Sequence, residues 1–214
     1  MNYIKCPKCE LNYIDADKEK ICLTCREEEI KKTKLRSIVL KSLSVIKAPV
    51  RYNGRAIFFV FQNNKEFLNE SKEGIIQAPH YDKGMNEPHH WVRLLNVKKG
   101  DVILHGVDGL VLAISEAEGL CYNFFYKDGR QGRKVDCKYQ LLTTPLVTAK
   151  YKKEIIDFCP NYEYQPFNKN GTGNQGYLFD KCREIAKLFI SDIVAHNPDI
   201  ESLLAVKEIL FKLN

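Results

Sequence analysis

The stretch Ile57-Phe58-Phe59-Val60-Phe61-Gln62-Asn63 decides how this sequence folds. Consecutive apolar residues followed by two amides are typical of a short buried strand that ends at a polar turn. Phe59 and Phe61 alternate with Val60, so both rings point to the same face of the strand. Core packing is the ordinary task of such rings, and forming the wall of a ligand pocket is the alternative. We expect the main domain to begin near residue 50, just before this strand.

After this strand, short apolar runs alternate with turns that contain glycine, such as Val107-Asp108-Gly109 and Lys127-Asp128-Gly129. This pattern predicts further strands at residues 74–78, 101–105, 110–116, 121–126 and 134–142. Apolar residues three and four apart predict helices at residues 88–96, 151–158, 177–196 and 200–213. The succession of short strands favours a small β-barrel with flanking helices, so the predicted fold class is α+β.

The N-terminal segment contains two Cys-x-x-Cys pairs, Cys6-Pro7-Lys8-Cys9 and Cys22-Leu23-Thr24-Cys25. Two such knuckles can bring four sulfurs together around one ion and complete a closed tetrahedral site. Zinc in a structural role is the expected metal, and the expected ligands are Cys6, Cys9, Cys22 and Cys25. Free thiols and an iron site of the rubredoxin type are the alternatives.

These patterns divide the chain into three predicted parts. Residues 1–48 are expected to form a zinc ribbon-like knuckle and a linker helix, which Pro49 ends. Residues 50–195 are expected to form the barrel domain. Residues 196–214 are expected to form a C-terminal helix that packs on or beside the barrel.

Composition and charge narrow the class of protein. Apolar residues make up 44% of the chain and no apolar run is long enough to cross a bilayer, so we expect no membrane partner. The N-terminus lacks the apolar core of a secretory signal, so we expect a cytoplasmic protein. Its cysteines should therefore be thiols or metal ligands, with Cys121, Cys137, Cys159 and Cys182 as small core residues. The net charge of +6 supports nucleic-acid binding only weakly, because four zinc-bound thiolates would reduce it.

Three segments carry unusual residue choices. They are Phe58-Phe59-Val60-Phe61-Gln62-Asn63, His89-His90-Trp91-Val92-Arg93-Leu94, and the glycine- and asparagine-rich stretch from Phe167 to Tyr177. Together with residues 97–105 and 113–117, they resemble EVE/PUA-like domains of modification-dependent restriction proteins, over about residues 57–190. The resemblance implies a PUA-like barrel that reads a flipped, modified base such as a methylated cytosine. It also implies a role in restriction or defence beside a nuclease or NTPase, which would here be a separate subunit.

A flipped base needs flat apolar walls for stacking and fixed polar groups for its Watson–Crick edge. Trp91 is the only tryptophan and the best candidate wall, although packing of the core is an equally good explanation of it. The amides of Gln62 and Asn63 could read a base edge or cap the end of the strand. The full predicted nucleic-acid-binding set is Phe61, Gln62, Asn63, His90, Trp91, Arg130, Arg133, Lys134, Asn170, Gly171, Gln175 and Tyr177.

Motifs for catalysis are missing from the sequence. Pro198-Asp199 with Glu201 and Lys207 only loosely imitates a nuclease site, and neither a P-loop nor a dinucleotide-binding glycine motif is present. We therefore predict a binding protein rather than an enzyme, with modified DNA as its partner. An RNA-binding PUA-like protein and a zinc-dependent protein–protein adaptor are the alternatives.

Overall fold

A computed structural model describes residues 3–8, 13–15, 21, 25, 48–51, 54–159, 164–168, 170–202 and 206. The chain divides into two compact units, residues 1–47 and residues 48–214. The predicted linker helix, apart from Ala48, lies outside the described residues. So does the predicted C-terminal helix beyond residue 202, apart from Val206.

In the first unit, the described residues form a short antiparallel hairpin. Strand β1 (Tyr3–Lys5) pairs with β2 (Tyr13–Asp15), with Tyr3 opposite Asp15. Cys6 follows β1 directly, so the first Cys-x-x-Cys pair begins where this strand ends.

The second unit is built on a mixed seven-stranded sheet. Its strands are β3 (Ile57–Phe61), β4 (Ile75–Pro79), β5 (Val102–Val107), β6 (Leu110–Ala117), β7 (Tyr122–Phe125), β8 (Gln131–Val147) and β9 (Leu178–Phe179). Their order in the sheet is β4-β8-β6-β5-β3-β9, and β7 pairs with β8. Strands β3 and β5 are parallel, and the other pairs are antiparallel. Every strand predicted from the sequence is present, and β8 is longer than predicted.

The described helices are short, with one exception. They are α1 (Asn64–Glu73), α2 (His89–Val92), α3 (Lys152–Phe158) and the longer α4 (Arg183–His196). Turns of 3-10 helix cover Arg93–Asn96, Thr148–Tyr151 and Pro198–Ser202. None of the helices in the described ranges combines the length and the apolar composition that a membrane span requires.

Two helices differ from the sequence prediction. Helix α1 was not predicted, although Asn63 caps it by accepting a hydrogen bond from the backbone N–H of Glu66 at 2.8 Å. The helix predicted over residues 177–196 was wrong in its first turn, because Leu178 and Phe179 form β9 and pair with β3. Helix α4 therefore begins only at Arg183.

The sheet curls into a half-barrel with a separate core on each of its faces. The inner core contains Phe58, Val60 and Ile103, and the outer core packs Phe59 against Phe189 of α4. This follows from the strand geometry, since neighbouring side chains point to opposite faces. The mixed α+β class predicted from the sequence is confirmed.

Tyr177 connects the two edges of the curled sheet. Its carbonyl oxygen accepts from the N–H of Phe61 in β3 at 2.9 Å. Its hydroxyl accepts from the N–H of Gln77 in β4, also at 2.9 Å. The contact brings the ends of β3 and β4 to the same mouth of the half-barrel, and the pocket described next lies there.

Candidate base-binding pocket

A pocket of about 440 Å³ opens at this mouth, and we call it the Trp91 pocket. Five of the predicted site residues line it, namely Phe61, His90, Trp91, Arg130 and Tyr177. Tyr126, Glu66 and Glu70 also line it, although the sequence did not point to them. The pocket therefore combines four aromatic side chains with two carboxyl groups and a guanidinium group.

Short elements hold the aromatic side chains in place. Trp91 lies on α2, is half-buried, and packs against the inner core with the rest of its surface on the pocket. Phe61 ends β3, with its ring centroid 5.6 Å from that of Phe167. Tyr126 follows β7, with its ring 4.5 Å from that of Phe124. Trp91 can thus serve both of the roles considered for it, core packing and pocket wall.

His90 brings an imidazole to the same pocket. Burial, with smaller effects of the neighbouring His89 and Arg93, lowers its pKa to about 4. Its Nδ1 atom is buried without a hydrogen-bond partner within the described part of the chain. Near pH 7 this ring is neutral, so it offers hydrogen bonding rather than positive charge.

Glu70 forms part of the polar floor of the pocket. Although it is a carboxylic acid, it is only 4% exposed. Its Oε2 atom accepts from the Tyr177 hydroxyl at 2.6 Å and from Nε2 of Gln62, also at 2.6 Å. Burial raises the pKa of Glu70 to about 8 against the opposing effect of these hydrogen bonds. The sequence signal that could have found it is the Asn63 cap, which starts a helix with Phe67 and Glu70 on its buried face.

Behind this floor, Gln62 belongs to a buried polar chain. Nδ1 of His105 lies 3.2 Å from Oε1 of Gln62, and Nε2 of His105 lies 2.7 Å from Oγ of Ser115. Burial lowers the pKa of His105 to about 3, so its ring is neutral. Gln62 therefore fixes the position of Glu70 from inside the barrel, whereas Asn63 serves as a helix cap.

The β7–β8 hairpin places cations over aromatic rings. Nζ of Lys134 lies 5.2 Å from the ring centroid of Phe124 and 5.6 Å from that of Tyr122. The guanidinium of Arg130 lies 5.2 Å from the ring centroid of Tyr126. We call these five residues the hairpin ladder. Such alternation of rings and cations suits a strand of nucleic acid, whose bases stack and whose phosphates are negative.

Arg133 does not fit the phosphate contact predicted for it. The residue is 2% exposed, and its guanidinium forms an ion pair with Glu87. Its neighbour Lys134 is half-buried and lies on the rings described above. Successive residues of a strand point to opposite faces, so the two cations of this segment cannot share one surface.

The loop predicted to approach a base lies on the other side of Phe61. Asn170 and Gly171 line a second pocket, of about 700 Å³, which also contains Gln62. Gly171 has φ of 75°, and a Cβ there would lie 2.9 Å from Cγ of Lys152. Gln175 is exposed and, as far as the described residues show, lines neither pocket. The predicted set is thus divided among the two pockets and residues that line neither, and we assign the Trp91 pocket to the base because of its aromatic walls.

Two of the predicted zinc ligands fall within the described residues. Cys6 and Cys25 are both buried and pack in one cluster with Ile21, as two converging knuckles require. Cys9 and Cys22 lie outside the described residues. The position and thiol chemistry of the two described cysteines fit a zinc site.

The remaining cysteines follow the prediction only in part. Cys137 is a buried thiol, and burial raises its pKa to about 12. Cys121 is half-buried. Cys159 and Cys182 are buried in the core as predicted, but they are not thiols, because they form a disulfide with their Cα atoms 5.8 Å apart. Cys159 follows α3 and Cys182 precedes α4, so the fold brings together two residues that the spacing of the sequence does not pair.

Comparison with known proteins gives only distant likenesses. No protein-family model matches the sequence, and no curated protein matches it. An NMR structure of a Rhodopseudomonas palustris protein is similar over 62% of this chain and 89% of its own, with 15% identity and a TM-score of 0.43. A crystal structure of a Pseudomonas putida protein is similar over 64% of this chain and 99% of its own, with 10% identity and a TM-score of 0.44. Likenesses of this size assign neither a family nor a function to this chain.

Proposed function

We propose that this protein binds DNA that carries a modified base, and that it holds the flipped base in the Trp91 pocket. Methylated cytosine is the first candidate. The observation that carries the proposal is the convergence of Trp91, Tyr126, Phe61 and Tyr177 around one pocket with a polar floor. Its volume of about 440 Å³ lies within the range of roughly 300–1,000 Å³ that is common for small-ligand sites.

The proposal includes a fold of the EVE/PUA-like type for the second unit. Support comes from the curled sheet, from the pocket at its mouth, and from the position of the His89–Val92 helix at that pocket. A flipped base would stack on the rings while its Watson–Crick edge meets Glu70 and the backbone of β4. The hairpin ladder would hold the flanking nucleotides through Lys134 and Arg130.

The first unit would have a structural task in this account. A zinc ion held by Cys6, Cys9, Cys22 and Cys25 would stabilise a segment that has few apolar residues of its own. Such a site is closed and leaves no coordination position for a substrate. The protein would then act in the cytoplasm as the recognition component of a restriction or defence system, with the nuclease or NTPase on a separate subunit and no catalysis of its own.

The proposal is tested by fluorescence anisotropy with matched short duplexes at one salt concentration. The target base would be cytosine, 5-methylcytosine, 5-hydroxymethylcytosine or N6-methyladenine, with a single-stranded RNA in parallel. We expect at least a tenfold preference for one modified duplex, which corresponds to about 1.4 kcal/mol.

Trp91→Ala should abolish that preference, because it removes the stacking wall. Phe158→Ala is the matched control, since Phe158 is an exposed aromatic residue at the end of α3 that does not line the pocket. Equal affinity for all duplexes would overturn the proposal, and a preference for the RNA would favour an RNA-binding role instead.

A further inference from the structure

Glu70 occupies an unusual place for an acidic residue, on the floor of a pocket proposed to receive DNA. It lies on the buried face of α1, and it faces the pocket beside Gln77 and Tyr177. A buried carboxylate without a cation beside it is costly, because water no longer solvates its charge. The hydrogen bonds that act on Glu70 come from neutral groups, namely the side chains of Gln62 and Tyr177 and the backbone N–H of Gln77.

The hydrogen bonds on both sides of Glu70 can be arranged so that each donor points toward its carboxyl group. Ser115 can donate to Nε2 of His105, and Nδ1 of the same neutral ring can then donate to Oε1 of Gln62. This leaves the amide Nε2 of Gln62 to donate to Oε2 of Glu70. From the other side, the Gln77 N–H donates to the Tyr177 oxygen, and the Tyr177 hydroxyl donates to the same Oε2.

This arrangement distinguishes the two oxygens of the carboxyl group. Oε2 receives two donors, which fill the acceptor capacity of a carbonyl-type oxygen. A proton on Glu70 would therefore sit on Oε1, the oxygen that receives no side-chain donor from the described residues. In that state Glu70 offers the pocket one O–H donor.

We infer that Glu70 is a specificity-determining residue, which acts as a neutral acid and donates its Oε1 proton to an acceptor on the base in the Trp91 pocket. This inference rests on the proposed function and deepens it by naming a class of base. Cytosine and adenine derivatives carry a ring-nitrogen acceptor on the Watson–Crick edge, whereas thymine and guanine carry a ring N–H at the corresponding position. The ring nitrogen of cytosine and adenine derivatives can accept the hydrogen bond from the Glu70 O–H. The ring N–H of thymine or guanine would face this O–H donor with a second donor.

The ionisation of the pocket supports this state. Burial, together with the smaller effect of the Glu66 charge on the same helix, raises the pKa of Glu70 to about 8. Burial also raises the pKa of the side chains that face Glu70 from neighbouring elements. They are Cys137 and Tyr139 on β8, Tyr126 after β7 and Tyr177 before β9. Burial lowers the pKa of His90 and His105 to about 4 and about 3. Arg130 also lines the pocket, and its charge is paired with that of Asp128 at 2.7 Å. A titration between pH 6.5 and 9 among these groups therefore belongs to Glu70.

The test uses two duplexes that share a methyl group and differ at the Watson–Crick edge. One contains 5-methylcytosine opposite guanine, and the other contains thymine opposite guanine. The mismatch makes thymine easier to flip, so ease of flipping works against the expected result. At pH 6.5 we expect the wild type to bind the 5-methylcytosine duplex at least tenfold more tightly than the thymine duplex.

Between pH 6.5 and 9.0 the affinity for the 5-methylcytosine duplex should fall about tenfold, because one pH unit above the pKa about one Glu70 in ten keeps its proton. Glu70→Gln should remove this fall, because the amide does not titrate. Glu73→Gln is the control, since Glu73 is an exposed carboxyl at the end of the same helix that does not line the pocket, and this variant should retain the fall.

A calorimetric measurement on the wild type covers the case in which Glu70→Gln fails to fold. Binding of the 5-methylcytosine duplex at pH 8.5, compared between two buffers of different ionisation enthalpy, should take up between about half a proton and one proton. Proton release, no proton exchange, or an affinity that is constant or rises with pH would overturn the inference about Glu70. If the protein still preferred the methylated duplex, the proposed function would remain intact. Absence of any preference among the modified duplexes at pH 6.5 would overturn both.

Discussion

Glu70 shows at the residue scale how a buried acid can link a binding pocket to the stability of the fold. Its pKa is raised to about 8 in the folded chain, while an unfolded chain would keep it near the ordinary value of 4.5. Protonated Glu70 therefore contributes stability that is fully present below about pH 4.5 and is lost as the pH rises to about 8. The loss is at most about 1.4 kcal/mol per pH unit in this window.

This predicts that Glu70→Gln becomes more stable relative to the wild type as the pH rises from 5 to 8. The difference should level off above the folded-state pKa, because Glu70 is then ionised in both the folded and the unfolded state. Urea unfolding of the two proteins at a series of pH values measures it. A difference that does not change with pH would show that Glu70 is not held neutral in the folded protein.

Gly106 is a second residue whose identity the pocket depends on. It pairs with Phe61 across β3 and β5, and a Cβ at this position would lie 2.5 Å from Cδ1 of the Phe61 ring. Gly106→Ala should therefore displace the ring, lower the free energy of unfolding by about 1–3 kcal/mol and weaken the preference for a modified base.

Gly119→Ala is the control for this change, because nothing lies within 4 Å of its added Cβ. Its free energy of unfolding should stay within about 0.5 kcal/mol of the wild type. Equal effects of the two substitutions in urea titrations would show that the ring is free to move.

At the scale of secondary-structure elements, the sequence predicted the strands well and the helices less well. Apolar runs between glycine turns locate β3 to β6 and β8, because these strands supply the inner and outer cores with apolar residues. Helix α1 escaped prediction because its exposed face dominates its composition and only Phe67 and Glu70 are buried. Strand β9 escaped because its partner, β3, lies more than a hundred residues earlier in the chain.

The same limit applies to the site. The aromatic and histidine signature pointed to Trp91, His90 and Phe61 because unusual residues stand out in a sequence. Glu70 and Tyr126 come from segments with ordinary composition, and only the curl of the sheet brings them into the pocket. Arg133 was misassigned because the sequence alone does not show which face of β8 is buried.

The cap of α1 gives a prediction at this scale. Asn63→Ala removes the hydrogen bond to the Glu66 N–H and should lower the free energy of unfolding by about 1 kcal/mol. Asn64→Ala, one residue later and exposed, is the control and should stay within about 0.5 kcal/mol. If Asn63→Ala instead removed base preference at unchanged stability, Asn63 would read the base.

The hairpin ladder gives a second prediction at the scale of secondary-structure elements. Lys134→Gln and Arg130→Gln should each weaken binding to methylated and plain duplexes alike, because in the proposed complex both cations would contact the backbone of the nucleic acid. Each should also reduce the slope of log affinity against log salt concentration by about one. Lys153→Gln, an exposed lysine on α3, is the control. An unchanged salt slope in anisotropy titrations would remove the hairpin from the DNA path.

At the scale of the whole molecule, the chain combines a unit expected to depend on zinc with a unit that contains the whole Trp91 pocket. We expect one zinc ion per chain by native mass spectrometry and its loss in Cys6→Ser. Base preference should survive that loss, because every residue that lines the pocket belongs to residues 48–214. Loss of preference together with the metal would assign part of the recognition to the first unit.

The most direct test of the account uses Trp91 as its own reporter, because it is the only tryptophan in the chain. Its fluorescence is followed while the wild-type protein is titrated with duplexes that carry cytosine or 5-methylcytosine at one position. A base stacked on Trp91 should quench its emission, and we expect saturating quenching with the methylated duplex at concentrations where the plain duplex gives none. If anisotropy shows that both duplexes bind while the emission of Trp91 stays unchanged, no base enters this pocket and the central claim is wrong.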